Sequence, residues 1–281
     1  MTRVTEHGGR GGRAGDGRPA GSGRPPGFGA VLGSEWRKFL ALPANRVMIL
    51  LALMLTVGVT ILMVVLGDSE TLAREQAEGE YSVVFFGSYF ATMTFAALAA
   101  HVVASEYRGM AAYTLTATPR RWRPLTAKLV VISLVGGTVG LVVSVAGFLI
   151  TQGFLAAAGE EYLGPDAPDM LRAVLLFVPL GTVVQSLMTA CAAVVLRSAP
   201  GAFGAILLLG WLPVGLAPFL GTWWGENVPR YMTGAAVESV AGMAVPGSEG
   251  YLPALPALAV IVVWVAAFVT MALMVFERRD V

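Results

Sequence analysis

Six apolar runs without a single Asp, Glu, Lys or Arg decide most of what this chain can fold into: residues 47–66, 82–104, 129–150, 173–196, 201–220 and 254–276. A run of about 20 residues crosses a hydrocarbon core of about 30 Å at 1.5 Å per helical residue. One charged side chain at the centre of such a helix costs about 2.5–3.5 kcal/mol, so the absence of charge from all six fits membrane-spanning helices. The whole chain is 56% hydrophobic and 13% charged, against about 25% charged for a soluble domain. The expectation is an all-α integral membrane protein with six transmembrane helices, occupying residues 31–281 as one domain.

Residues 1–30 are rich in Gly, Arg and Pro and contain no apolar core. Such a segment cannot bury enough surface to offset its ordering entropy, which predicts a disordered tail and no cleavable signal peptide. Charge then orients the spans. With both termini on the inner side, that side receives sixteen Lys and Arg and the outer side three, Arg74, Arg172 and Arg230. The positive-inside rule therefore puts both termini in the cytoplasm. The densest inner segment is 105–128 (SEYRGMAAYTLTATPRRWRPLTAK), where five basic residues, Arg108, Arg120, Arg121, Arg123 and Lys128, outnumber one acid, Glu106. It is too long for a simple hairpin connection.

Before the first span, residues 31–46 (VLGSEWRKFLALPANR) predict an interfacial helix on the inner leaflet, ended by Pro43. Trp36, Phe39 and Leu40 share one face, with Glu35 and Lys38 to another side. Outer loops 67–81 and 151–172 are short and acidic, whereas 221–253 is longer. It holds an amphipathic stretch, 229–243, opened by Pro229, which either lies on the outer surface or dips back between helices. Pro179 in the fourth span, and Pro213 and Pro218 in the fifth, predict kinks or breaks, the fifth span being the least regular. In the third span Gly136, Gly140 and Ser144 recur every four residues. That spacing permits close helix approach and also arises by chance among small residues. Gln185, the main strongly polar side chain at depth, either bonds a neighbouring helix or lines a path.

No covalent chemistry is expected of this chain. Its two histidines, His7 and His101, belong to no HExxH or other zinc pattern, and its single cysteine, Cys191, excludes an intrachain disulfide. Ser88 shares a helix with His101, yet the intervening helix separates them by about 19.5 Å. Neither lysine, Lys38 nor Lys128, follows a glycine, so no GxxxxGK[ST] phosphate loop exists. The spans contain no ionisable group of the kind that binds a coupling ion. Both absences suit a transporter powered by a separate subunit. The uncharged spans favour an amphiphilic or lipid-like cargo over a highly charged ion, and nucleic acid is not an expected partner.

The order of these pieces resembles the membrane subunits of type-2 ATP-binding-cassette (ABC) transporters, stand-alone actinobacterial permeases above all. The resemblance is carried by SEWRKF before the first span, SEYRGMAAYTLTATPRRW with AKL after the second, VPRYMTG in the last outer loop and FERRDV at the end, and covers residues 31–281. It implies an exporter permease in a bacterial cell membrane. Its first inner loop would form a coupling helix against an ATPase subunit through Glu106, Tyr107, Arg108, Thr114, Leu115, Pro119, Arg120 and Arg121. The resemblance further implies ATP-Mg bound by that partner and no cofactor in this chain. A second permease subunit, identical or different, would share the path, and short helices from the last outer loop would lie near the outer gate. Glu35, Trp36, Lys38 and Phe39 form the interfacial motif, where Phe39 replaces the usual leucine. The Gly/Arg tail is the other departure. A non-transport membrane scaffold or assembly factor is the alternative, and a secondary carrier the third.

Overall fold

The computed structural model describes residues 27–79, 81–105, 122–164, 167–248 and 250–278. The expected tail and the coupling-loop residues Glu106, Tyr107, Arg108, Thr114, Leu115, Pro119, Arg120 and Arg121 lie outside the described residues. Among those described, the regular structure is entirely helical, and six helices are long and apolar enough to cross a membrane. The chain is a multi-pass, all-α membrane protein.

Helix α1 spans Phe28–Ala41, and α2, the first span, begins immediately after it at Pro43 and ends at Leu66. Pro43 therefore opens α2 as well as ending α1. The residue before a proline is pushed out of the helical region, and Leu42 is extended at φ −78°, ψ 117°. Two side chains at the start of α2 satisfy the last carbonyls of α1: Asn45 Nδ2 donates to Phe39 O (2.8 Å) and Arg46 Nε to Leu40 O (2.9 Å).

A short helix, α3 (Ser69–Ala77), is capped by Asp68, whose carboxylate accepts from Thr71 N at 3.0 Å. The second span, α4, covers Ser82–Ala104. The third, α5, runs Trp122–Ala158 and at 37 residues is the longest; its length of about 55 Å overreaches the hydrocarbon core at both ends. The charged run that bounded the expected span at 129 does not end the helix. Arg123 and Lys128 are helical residues, and the expected loop stops short of Trp122.

The fourth span, α6 (Pro168–Leu196), is the central helix, packed against α4, α5 and three later elements. Pro179 sits inside it without ending it. Arg197 turns the chain in a left-handed conformation (φ 52°), and Ser198 caps the fifth span, α7 (Ala199–Leu216), by accepting from Gly201 N at 3.2 Å. Only those two residues separate α6 from α7. As expected, the fifth span is irregular: α7 ends at Leu216, and Pro218 lies in a 3₁₀ turn, Ala217–Leu220. Gly221, at φ 113°, then allows a reversal into α8 (Thr222–Asn227).

Pro229 opens a second 3₁₀ turn (Pro229–Tyr231) rather than the expected helix, which starts only at Thr233 and forms α9 (Thr233–Ala241). Met232 is extended between them and breaks the continuity. The sixth span, α10, is Ala254–Arg278. One end of the bundle thus carries α1, Ser105, Trp122 and the α6–α7 turn. The far end carries α3, the connection before α6, and the segment from Ala217 to α10.

Candidate functional site

At the α1 end, one carboxylate joins two helices, α1 and α5. Glu35 Oε1 accepts from Lys38 Nζ at 2.6 Å, and Glu35 Oε2 lies 3.2 Å from Lys128 Nζ on α5. The Glu35 and Lys128 side chains are 6% and 8% exposed, whereas that of Lys38 is 58% exposed. Burial pushes the Glu35 carboxyl upward, but the Lys128 and Lys38 ammonium groups outweigh it and hold the group below its ordinary value.

This arrangement corrects the expected face of α1. Glu35 and Phe39, four residues apart, both point into the bundle, while Trp36 and Leu40 point outward at 40% and 42% exposure. Glu35 turns inward because its cationic partner is there, and Trp36 is free to face the membrane. A cavity of about 90 Å³ adjoins the pair, with Asn45, Ser105 and Val131 in its wall. Asn45 Oδ1 is buried without a hydrogen-bond partner, and the cavity beside it has room for a water. Ser105 and Trp122 are the described residues on either side of 106–121. Both stems of that segment therefore rise from a unit containing α1, α2, α4 and α5.

At mid-bundle, the small residues of α5 meet named neighbours. A methyl group on Gly136 would sit 2.8 Å from Phe95 Cε1, and one on Gly140 would sit 2.8 Å from Pro179 Cα and 3.0 Å from Val178 O. Ser144 Oγ donates to Val174 O at 2.8 Å. The four-residue spacing thus brings α5 close to α4 and α6. Gln185 is half-buried on α6, and its backbone oxygen accepts from Thr189 Oγ1 at 2.6 Å. Of the serines in the spans, Ser186 Oγ is buried without a hydrogen-bond partner, whereas Ser88 donates to Phe85 O, Ser133 to Leu129 O and Ser144 to Val174 O. The latter three hydroxyls are engaged on backbone carbonyls. No group of three His, Cys, Asp or Glu among the described residues could hold a metal ion.

The far end contains groups that the linear pattern did not single out. Gln152 of α5 donates to Gln76 of α3 at 2.6 Å and accepts from Leu163 N at 2.8 Å. Helix α9 is inserted beside α6 and α10 instead of lying across them. Trp264 Nε1 donates to Tyr231 O at 2.9 Å, and Trp264 lies about 15 Å along α10 from its start. Val237 packs over Gly181, a residue about 20 Å along α6 from its start. At the upper end, Arg172 donates to Val240 O through Nε (3.1 Å) and Nη2 (2.7 Å), placing a cation at the helix C-terminus. Of the two alternatives left open by its sequence, the packing of α9 against α6 and α10 is the feature the structure supplies.

Glu238 travels with it. The residue is half-buried on α9, and burial pushes its carboxyl above its ordinary value. Counted along the sequence, Glu238 is one more acid in an outer loop. The available signal was its setting, TGAAVESVA, nine residues with a single charge among small apolar ones. Neither a comparison with protein-family models nor one with curated proteins gives a match.

Proposed function

We propose that this chain is the membrane-spanning permease subunit of an ABC exporter, driven by a separate ATPase subunit that binds ATP-Mg. The observation that carries the reading is the double anchoring of segment 106–121. Its stems, Ser105 and Trp122, belong to a unit in which Glu35 clamps α1 to α5 through Lys128. A force applied to that segment acts on three spans together. The family resemblance supplies the partner: the motif residues Glu106, Tyr107, Arg108, Pro119, Arg120 and Arg121 would meet the ATPase. The missing phosphate loop accords with ATP hydrolysis elsewhere, the positive-inside charge bias favours a cytoplasmic α1 end and cytoplasmic termini, and the resemblance implies a bacterial cell membrane. A second permease subunit completes the path in this reading.

The test is co-purification of the tagged chain with an ABC ATPase from a neighbouring reading frame, if one is encoded there, and transport by the reconstituted pair. Replacing Arg108 and Pro119–Arg121 should abolish ATPase capture while leaving the chain folded. Unchanged capture and transport, or ATP hydrolysis by the chain alone, would overturn the proposal.

One observation favours a secondary carrier as the second reading. Although the six apolar runs hold no Asp, Glu, Lys or Arg, Glu238 lies on α9, packed beside α6 and α10. Uptake or efflux driven by a proton or sodium gradient in vesicles lacking any ATPase would decide for it.

A further inference from the structure

We propose that the cavity beside the Glu35–Lys128 pair is a headgroup site for an anionic phospholipid whose headgroup carries hydroxyls, the chemistry of phosphatidylglycerol. The cavity measures about 90 Å³, several times the ~10–15 Å³ that one water needs. Its depth is that of lipid headgroups. In its wall, Asn45 stands two residues before the uncharged run 47–66, Ser105 directly follows the run 82–104, and Lys128 directly precedes the run 129–150. Three spans therefore change from apolar to polar at the level of the cavity. Among the described residues of the wall, only Lys38 and Leu42 are exposed, which gives the opening one charged and one apolar edge.

Two features of the wall select the headgroup. The first is charge: one carboxylate, Glu35, stands against two ammonium groups, Lys38 and Lys128, so the described wall residues carry a net positive charge. A phosphodiester at the opening balances it, and the Lys38 ammonium attracts that group through its charge, whatever hydrogen bonds it already makes. A zwitterionic headgroup ending in an ammonium would instead bring a third cation toward the two lysines. The second feature is an acceptor. Asn45 is 1% exposed, and its Nδ2 donates to Phe39 O at 2.8 Å. A carbonyl oxygen only accepts, so the amide nitrogen must face it, and Oδ1 is the buried atom left without a donor. An unsatisfied buried acceptor is costly, and a neutral hydroxyl supplies the donor without adding a charge. Phe39 and Val131 give the wall apolar surface for the carbon chain of a polyol. The inference concerns lipid binding by this chain alone and does not rest on the transport reading.

The experiment titrates the full chain, purified in detergent, with lipids of identical acyl chains and reads bound lipid by native mass spectrometry. The probes are phosphatidylglycerol, phosphatidylethanol, which keeps the charge and lacks the hydroxyls, and phosphatidylethanolamine, which ends in an ammonium. Wild-type protein should bind phosphatidylglycerol about two- to tenfold more tightly than phosphatidylethanol, the effect of one hydrogen bond, and more tightly than phosphatidylethanolamine. Asn45→Ala should erase the preference over phosphatidylethanol; the wild-type order tests the site even where that variant fails to fold. Lys38→Gln should reduce the preference over phosphatidylethanolamine by about two- to fivefold, as for one exposed charge. Arg37→Gln, an exposed neighbour outside the wall, should leave it unchanged. Equal wild-type binding of phosphatidylglycerol and either other lipid, or equal effects of Lys38→Gln and Arg37→Gln, overturns the site. Displacement of phosphatidylglycerol by an equimolar amount of sn-glycerol 3-phosphate would give the cavity to a soluble polyol phosphate and overturn the lipid assignment.

Discussion

Replacing Gly140 with alanine tests how closely α5 and α6 are packed, because the same helix contains its own controls. At Gly140 the added methyl would lie 2.8 Å from Pro179 Cα, 3.0 Å from Val178 O and 3.1 Å from Pro179 N. All three atoms are backbone, so no side chain can swing away; the helices must separate by about 0.6 Å to restore an ordinary 3.4 Å contact. Overpacking of this kind costs about 1–3 kcal/mol, against a helix-propensity gain of up to about 1 kcal/mol on replacing glycine. The net expectation is a loss of about 1–2 kcal/mol. At Gly136 the obstacle is the Phe95 ring, also at 2.8 Å, which can rotate, so Gly136→Ala should cost less. At Gly137 the nearest atom is Val183 Cγ2 at 3.5 Å, and Gly137→Ala should be neutral or stabilising. Thermal unfolding of the three purified variants in one detergent gives the order Gly137→Ala, Gly136→Ala, Gly140→Ala from most to least stable. A spread of about 2–4 °C per kcal/mol is expected. If Gly140→Ala melts with or above Gly137→Ala, the close approach at Pro179 is wrong.

Glu35→Gln keeps the shape of the side chain and removes the charge that faces Lys128; it should cost up to about 3 kcal/mol in melting experiments. The double replacement Glu35→Met with Lys128→Met should recover most of that loss, because paired apolar groups need no counter-charge. Glu35 also predicts a pH dependence: since folding lowers its carboxyl below the ordinary 4.5, its stabilisation is present above that value and is lost as pH falls through the folded value. Wild-type protein should therefore lose more stability than Glu35→Gln on acidification below about pH 4.5. Arg172→Ala removes both hydrogen bonds to Val240 O and should raise amide hydrogen exchange across α9 while leaving α4 protected. Equal exchange in both proteins would deny Arg172 that anchoring role.

The spans were legible where a local property decided them. Residues 82–104 form α4 with the bounds that their uncharged run predicts, and the prolines marked Leu216–Leu220 as irregular. The start of α5 was hidden because charge ends a hydrophobic run but not a helix; Arg123 and Lys128 continue the same hydrogen-bonded ladder. The face of α1 failed for a different reason. Grouping Phe39 with Trp36 and Leu40 went by residue type, whereas Phe39 turns inward beside Glu35, which meets a lysine 93 positions away, and Trp36 and Leu40 face outward. That partnership is nonlocal and leaves no periodic trace. The spacing of Gly136, Gly140 and Ser144 was visible, but Phe95, Pro179 and Val174 were not, since they come from other helices. Helix α9 is too short to register as a span, and its one acid made it resemble an ordinary exterior loop.

The length of α5 has a mechanical meaning once its close approach to the backbone of α6 is located. Gly140 lies at the midpoint of Trp122–Ala158, with an arm of about 27 Å on either side. Pressed on the backbone of Pro179, this point can act as a fulcrum for a rigid rod. A tilt of about 5° around it would displace the two tips by about 2.4 Å in opposite senses, by the geometry of a straight helix. One tip is the stem of segment 106–121, close to the Glu35 clamp; the other carries Gln152 and its contacts to Gln76 and Leu163. A push at one surface would then arrive at the opposite surface as an inverted stroke of equal size.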